Sequence, residues 1–554
     1  MTSILFHNGY VHSSSDPFAE ALFVEDGVIT WTGENDTAAS FAKRADRVVD
    51  LDGALIAPGF VDTHVHLLET ALLDEAVDVA PTAGGVTAQA VLDLLAARVE
   101  LDSAKAADVV ADAAPHIVSA TGYDDSSWTS EPLTREMLDA RFPGVPVYVP
   151  RADLHSAIVS SALLASAGLT DQILDDRGRV SGAIHTPIRE FIRELAPARR
   201  TELYRAVLAK CAALGIVSVH ENAAPGIDTP EGLAELIDMT SSPESGLPQV
   251  VGYLGMLVRS VEQVEELRAQ VPGLAGLAGD LSVDGSFGSH SAALREPYTD
   301  APDTIGTLHL SAQEIEQHLA ACSDAGMTAG FHVIGDRALD TVLEAVENLV
   351  KRDASYVSKL RRCGHRLEHV ELADEASRAE LAKYGFMVSV QPAFDAHWGT
   401  LGGMYEQRLG SERLCATSPI RDFTRDGIPM GFGSDTPVTV IDPWGGVAAA
   451  VFHSNPEQRI SARAAFKAHT RGGWRLGGEA NFMAGEIRVG APAHLAIWRA
   501  EELGVQAEND GRSSWTTDGR SGSPLLPILS QDGNRPQCLA TLRAGVFIYD
   551  DLGN

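Results

Sequence analysis

Over its first sixty residues the chain sets short apolar runs against turn residues. Ile4-Leu5-Phe6, Ala21-Leu22-Phe23-Val24, Val28-Ile29-Thr30-Trp31 and Arg47-Val48-Val49-Asp50-Leu51 are separated by Asn8-Gly9, Asp26-Gly27 and Asp52-Gly53, among other turn residues. Apolar, β-prone runs bounded by Asn-Gly or Asp-Gly predict strands joined by tight turns. This is a small β-meander, a layer that needs a partner sheet to be stable. From residue 64 onward the pattern changes. Helical stretches at 91–99, 104–120, 160–168, 201–214, 313–326, 338–351 and 375–384 alternate with apolar strands at 145–149, 216–219, 254–258, 328–333, 366–370, 387–390 and 429–433. Such alternation predicts βα units with parallel strands. A span of this length suits a (β/α)8 TIM barrel with inserted segments better than an open sheet. After about residue 483 the β pattern returns at 485–490, 494–498 and 540–549, with a polar, turn-rich loop at 507–537. These last strands complete the meander. The expected organisation is α/β: a barrel over 58–482 beside a small composite β-sandwich domain built from both termini, 1–57 and 483–554.

Composition narrows the class. A chain of 554 residues exceeds one ordinary core. Mean hydropathy is −0.02, and no apolar run approaches the roughly 18 residues a bilayer requires. The N-terminus lacks the basic start and apolar centre of a signal peptide. Five cysteines (Cys211, Cys322, Cys363, Cys415, Cys538) are far apart, with no zinc-finger spacing. A reducing cytoplasm is the expected location. The net charge of −33 opposes binding to nucleic acid or to anionic membranes, both of which need a positive surface.

The candidate chemistry begins at Ala57-Pro58-Gly59-Phe60-Val61-Asp62-Thr63-His64-Val65-His66. On a strand, residues i and i+2 point the same way, so His64 and His66 present two imidazoles from one face. Imidazole is a common metal ligand. Barrel active sites lie at the C-terminal ends of strands. Arg151, Asp153 and His155 follow the strand at 145–149. His220 and Glu221 follow 216–219, and Asp280 and Asp284 lie in Gly279-Asp280-Leu281-Ser282-Val283-Asp284-Gly285. His332, His369 and Asp435 stand at three later strand ends. Any one of these would more often be a core histidine or a capping aspartate. Four histidines and a carboxylate at the strand ends of one barrel form an N/O metal site.

Pro-Gly-Phe-Val-Asp-Thr-His-Val-His, Phe-His-Val-Ile-Gly-Asp-Arg-Ala, Arg-Leu-Glu-His, Ser-Val-Gln-Pro and Gly-Ser-Asp-Thr-Pro-Val together resemble the amidohydrolase superfamily. More narrowly, the chain is similar to the amidohydrolase family 3 branch that includes N-substituted formamide deformylases. Asp284-Gly285-Ser286-Phe287-Gly288-Ser289 adds a further signature of that branch. The resemblance implies that His64 and His66 are metal ligands after the first strand and His332 and His369 after the fifth and sixth. It makes Asp435 both a metal contact and the general base after the eighth. Many relatives carry a bridging carbamylated lysine after the fourth strand. Here the matching residue is Asp280, and no lysine occurs between Lys210 and Lys351. Two readings stay open: Asp280 bridges two metals, or one tight metal is held with Asp280 as a ligand or outer support.

The expected cofactor is zinc, as one or two divalent ions. Bound zinc brings a water to a pKa near 7, with Asp435 moving the proton. His155 or His220 is expected to stabilise the oxyanion. Trp128 and Trp398 are placed near the pocket mouth by loops, with Tyr123 and Phe394. Arg151 either binds a substrate carboxylate or pairs with Asp153. The expected function is hydrolysis of a non-peptide C–N bond in a small amide, N-formyl or N-acyl compound, an uncharged and partly apolar one if the aromatics line the pocket. Ester or carbamate hydrolysis and deamination are the alternatives on the same scaffold, and an inactive metal-binding barrel is the non-enzyme alternative. The partners expected are a small molecule and, from relatives, a second copy of the chain in a homodimer.

Overall fold

The computed structural model describes residues 3–80, 87–106, 117–124, 131–170, 175, 177–506, 515–516, 523–531, 533 and 535–553. Its centre is one sheet of eight parallel strands: β1 (Phe60–Val65), β2 (Ile216–Ala223), β3 (Gln249–Leu254), β4 (Gly276–Leu277), β5 (Thr328–Val333), β6 (Arg366–His369), β7 (Met387–Val390) and β8 (Met430–Phe432). Just past the strand ends, Val65 bridges Thr436 in parallel fashion, and the Asp435 N–H donates to the His64 carbonyl at 2.8 Å. These contacts bring β8 back to β1, as a (β/α)8 barrel requires.

Local sequence explains the regularity of the helices between the strands. The helix Ala312–Ala325 opens on a capping box, with Ser311 and Glu314 each satisfying the other's backbone N–H, and it ends at Gly326 in the left-handed conformation (φ 66°). The helix Glu375–Tyr384 is capped by Asp374 and ends at Gly385 in the same way. β1 and β2 are buried along their whole length, as expected for strands covered on both faces.

Strands from both ends of the chain share one sheet. Leu55–Pro58 pairs antiparallel with Leu495–Arg499, which pairs with Gln537–Arg543 and through it with Val546–Asp550. A second sheet, built from Ser3–His7, Ala21–Glu25, Val28–Gly33 and Arg47–Asp50, shares its core with the first through Phe6, Leu22, Ile56, Ile497 and Leu542. The strand Leu55–Pro58 leads straight into β1 across Gly59, where an added Cβ would lie 2.3 Å from Val217. Trp498 of the small sheet meets Phe60 and Trp444 edge-on beneath the barrel. Burying one such aromatic side chain stabilises the fold by about 2–3 kcal/mol. Gly215 lets the chain enter β2 under that indole: its φ is +76°, and a Cβ there would come within 2.2 Å of Trp498.

Five expectations need correction. The stretch 485–490 forms turns instead of a strand, so the β pattern resumes only at Leu495–Arg499. The strand at 145–149 is not in the barrel. It corresponds to Val147–Pro150, which lies in a separate five-stranded sheet inserted between β1 and β2, with Arg179–Ser181, Ser156–Val159, Val118–Thr121 and Val77–Asp78. That sheet has its own apolar cores, so the strand satisfies its pattern without the barrel. The third barrel strand is Gln249–Leu254 rather than 254–258, because β2 pairs with it from Ser218–Gln249 to Ala223–Leu254. The loop at 507–537 contributes Leu526–Pro527, paired with Leu503–Gln506. Residues 118–120 of the stretch expected to be helical to 120 form a strand, and residues 107–116 of it lie outside the described residues. Among the described residues no helix is long and apolar enough to cross a membrane.

Candidate metal centre

A cavity of about 320 Å³ opens at the C-terminal ends of the barrel strands. Its floor carries His66, Asp280, His332, His369 and Asp435. His64 Nε2 stands 3.3 Å from His66 Nε2. Asp435 Oδ1 lies 3.3 Å from His64 Nε2 and 3.1 Å from His66 Nε2, while Asp280 lies 3.4 and 3.3 Å from the same two nitrogens. Two overlapping donor groups result. His64, His66 and Asp280 form one, and His64, His369 and Asp435 form the other, with the ligand atoms of each within 4.8 Å of one another. His64 belongs to both. His332 packs edge-on against His369 with ring centres 4.5 Å apart, but joins neither group.

Each imidazole is aimed from behind. His64 Nδ1–H donates to Glu368 at 2.8 Å, His66 Nδ1–H to the Asn222 carbonyl at 3.1 Å, and His369 Nδ1–H to Gln391 Oε1 at 2.8 Å. The Nδ1 hydrogen bonds leave the three Nε2 lone pairs for the cavity, the arrangement that fixes tautomer and direction in metal sites. Glu368 is held in turn by Arg366 at 2.6 Å. Burial alone would raise the Glu368 pKa, but the Arg366 charge keeps it below the ordinary carboxylate range. The relay His64–Glu368–Arg366 is entirely buried. Glu368→Gln removes its charge and leaves the Arg366 guanidinium uncompensated. A drop of about 10–100-fold in metal affinity is expected, read by competition against a chelating dye. An unchanged affinity would show that the relay does not support His64.

The donor set fits a divalent cation. Burial lowers the pKa of His64 and His66, yet the Asp435 and Asp280 carboxylates outweigh it and hold both above the ordinary histidine value. Burial also pushes Asp280 upward, and the surrounding imidazoles drive it well below the usual carboxylate range. Two clustered carboxylates thus draw positive charge onto their neighbours, which is the need a bound cation fills. His332 Nδ1 and Asp280 Oδ1 are buried without a hydrogen-bond partner, and a buried polar atom in that state is costly. Backbone strain is concentrated here too. His369 (φ 70°), Val370 (φ 48°) and Asp435 (φ 55°) adopt left-handed conformations at the ends of β6 and β8, of the kind non-glycine residues hold at functional sites.

The other expected residues have different positions. Arg151, His155, Phe394 and Trp398 line the cavity. Arg151 reaches it from the turn between Val147–Pro150 and Ser156–Val159, not from a barrel strand, and pairs with both Asp124 and Asp153 at 2.8 Å. Asp153 also accepts from Ser286 and Ser289, which ties the inserted sheet to the segment after β4. Asp284 is an anchor: it accepts from the backbone N–H groups of Ala293, Ile334 and Gly335. His220 does not reach the cavity. It sits within β2, which runs on to Ala223 instead of ending at 219, and its Nδ1 accepts from Arg366 at 3.0 Å. Burial and the Arg366 charge hold it well below the ordinary histidine pKa, so it backs the Glu368 relay. Tyr123 is buried in the inserted core, and Trp128 lies outside the described residues. Sequence reasoning gave no role to Glu368, Gln391 or Arg189. The first was visible in Arg366-Leu367-Glu368-His369, where positions i and i+2 of a strand share a face.

The fold and this donor cluster define a β/α-barrel protein with a candidate metal centre at its strand ends. The profile of the amidohydrolase family matches residues 47–549, and the chain belongs to that family. It is 24% identical over 485 residues to the protein YtcJ of Bacillus subtilis (strain 168), covering 82% of this chain and 84% of that one. It is 23% identical over 511 residues to the N-substituted formamide deformylase of Arthrobacter pascens, covering 86% and 90%. Among solved structures, an uncharacterized metal-dependent hydrolase from Pyrococcus horikoshii OT3 shares the fold, with a TM-score of 0.69 at 23% identity over 90% of this chain and 97% of that one.

Proposed function

We propose that this protein hydrolyses a non-peptide C–N bond in a small amide, N-formyl or N-acyl compound. The observation that carries the reading is Asp435, set on the cavity floor 3.1 Å from His66 and 3.3 Å from His64. His64, His66, Asp280, His332, His369 and Asp435 would hold zinc, as one or two ions. When bound, such an ion acidifies a water and polarises the scissile carbonyl. The chain supplies the remainder. The Asp435 carboxylate accepts the proton of the attacking water and returns it to the leaving nitrogen, acting first as base and then as acid. His155 faces the same cavity, and burial holds it below the ordinary histidine pKa. A neutral imidazole N–H there can donate to the developing oxyanion. Phe394, Trp398 and Tyr405 line an apolar wall that excludes water and receives an apolar substituent. Among the described residues, no cysteine lines the cavity, and of the lining serines Ser286 donates its hydroxyl to Asp153 and Ser282 to the Asp280 carbonyl, which supports attack by water over an acyl-enzyme.

The test is a panel of N-formyl, N-acyl, carbamate and ester substrates assayed with zinc-loaded enzyme, with metal content measured alongside. Amides should show the highest kcat/KM, with one or two zinc ions per chain. Ester turnover with amide rates at the uncatalysed level would overturn the assignment of the bond.

A further inference from the structure

A second charge cluster stands in the wall of the same cavity. Glu69 lies in the helix Leu67–Asp74, three residues after His66, and is buried. One of its carboxylate oxygens, Oε2, takes two guanidinium groups, from Arg189 and Arg193 at the end of the helix Gly182–Ile192. Burial would raise the Glu69 pKa, but the two arginines bring it down to about 2. Within this contact one carboxylate meets two guanidinium groups, and Asp228 also acts on the Arg193 charge. The Nε atoms of both arginines are buried without hydrogen-bond partners. The two arginines are not equivalent. Arg193 turns back to donate from Nη1 to the Arg189 carbonyl at 2.8 Å, whereas Arg189 lines the cavity.

The Asp280 carboxylate on the cavity floor also acts on the Arg189 charge, but it is engaged by His64 and His66 at 3.4 and 3.3 Å; the titratable neighbour on the helix of Arg189 is neutral. His185 lines the cavity next to Arg189; burial and the Arg189 charge push it down to about 3, and its Nε2 is 2.8 Å from the Tyr148 hydroxyl. The other cavity arginine differs: Arg151 is matched by two carboxylates, Asp124 and Asp153. Arg189 therefore shares its contacting carboxylate with a second arginine and still lines the cavity. A second buried guanidinium on one carboxylate is a poor way to gain stability, because each buried ion carries a desolvation cost. A bound anion would relieve it. Arginine presents a planar fork that matches a carboxylate in two-point contact. The overall charge of −33 slows the approach of anions from a distance, but salt screens such fields beyond about 8 Å, so the local contacts govern the bound state.

We infer that Arg189 is a specificity-determining residue that binds a carboxylate on the substrate, away from the scissile bond. The inference rests on the C–N hydrolase reading and narrows its substrates to acyl compounds that carry an acid group.

The experiment uses zinc-loaded enzyme with N-acetylphenylalanine and its primary amide, which differ only at the carboxyl group, turnover being followed as release of acetate so that only cleavage of the shared N-acetyl bond is counted. Binding is read by thermal shift and turnover by kcat/KM. The wild type should favour the acid by about 10-fold or more in both, the scale of a charge-assisted contact. Arg189→Gln should bring the ratio near one, and Arg189→Lys should restore it in part. No preference for the acid in the wild type, or the same preference in Arg189→Gln, overturns the inference. If Arg189→Gln does not fold, Arg189→Lys decides: a ratio lowered by about 3-fold or more supports the subsite, and an unchanged ratio refutes it. Selective binding of the acid without hydrolysis of either compound would sink the C–N reading and leave the subsite standing. Hydrolysis of both without preference would do the reverse.

Discussion

Asp435→Asn is expected to lower kcat by about 10²–10⁴-fold, the usual contribution of a positioned general base, while zinc remains bound. Asparagine keeps the shape of the side chain and one carbonyl oxygen toward His64 and His66, but it cannot accept the proton. The backbone hold on the residue does not depend on its carboxylate: Asp435 N–H donates to the His64 carbonyl and Ser434 N–H to Asp62. Elemental analysis of the variant and steady-state kinetics on the best amide of the panel check this together. Metal retained with activity lost supports the proposed role. Full activity in the variant would refute Asp435 as the base.

The second large effect is expected at His64, which belongs to both donor groups. His64→Ala should remove metal binding and activity together, where loss of His332 would leave both groups intact. A ligand bound only by the folded state stabilises it by about 2.7 kcal/mol when present at a hundred times its Kd. Added zinc should therefore raise the unfolding temperature of the wild type and leave that of His64→Ala unmoved. Calorimetry with and without zinc reads this directly. A zinc-dependent rise of equal size in His64→Ala would show that the ion binds elsewhere.

His64 and His66 were legible because strand periodicity is local: two residues apart on any β-strand, they share a face. The ends of β5, β6 and β8 were legible for a similar reason, since His332, His369 and Asp435 are polar residues in or just after short β-prone runs. β4 was not, because a paired segment of two residues, Gly276–Leu277, leaves no periodic trace. Asp280 was located instead by its distance from the Asp284-Gly285 motif. The strand at 145–149 read like a barrel strand because the pattern of a buried strand does not say which sheet buries it. His220 was misplaced because β2 runs four residues beyond the last apolar position, carried by pairing to β3.

By itself, then, the sequence determined the α/β class, the presence of β-strands towards both ends of the chain and most of the histidines and carboxylates of the candidate centre. These depend on residue type and on spacing of a few positions, which the chain carries wherever it folds. Only the tertiary structure decided which side chains meet. It joined His64 to Glu368 and Arg366 across three hundred residues, brought Arg151 and His155 in from an inserted sheet, and set Arg189 and Arg193 on one carboxylate. Those pairings depend on barrel closure and on the docking of the insertion. Both are settled by packing over the whole molecule, which no local spacing encodes.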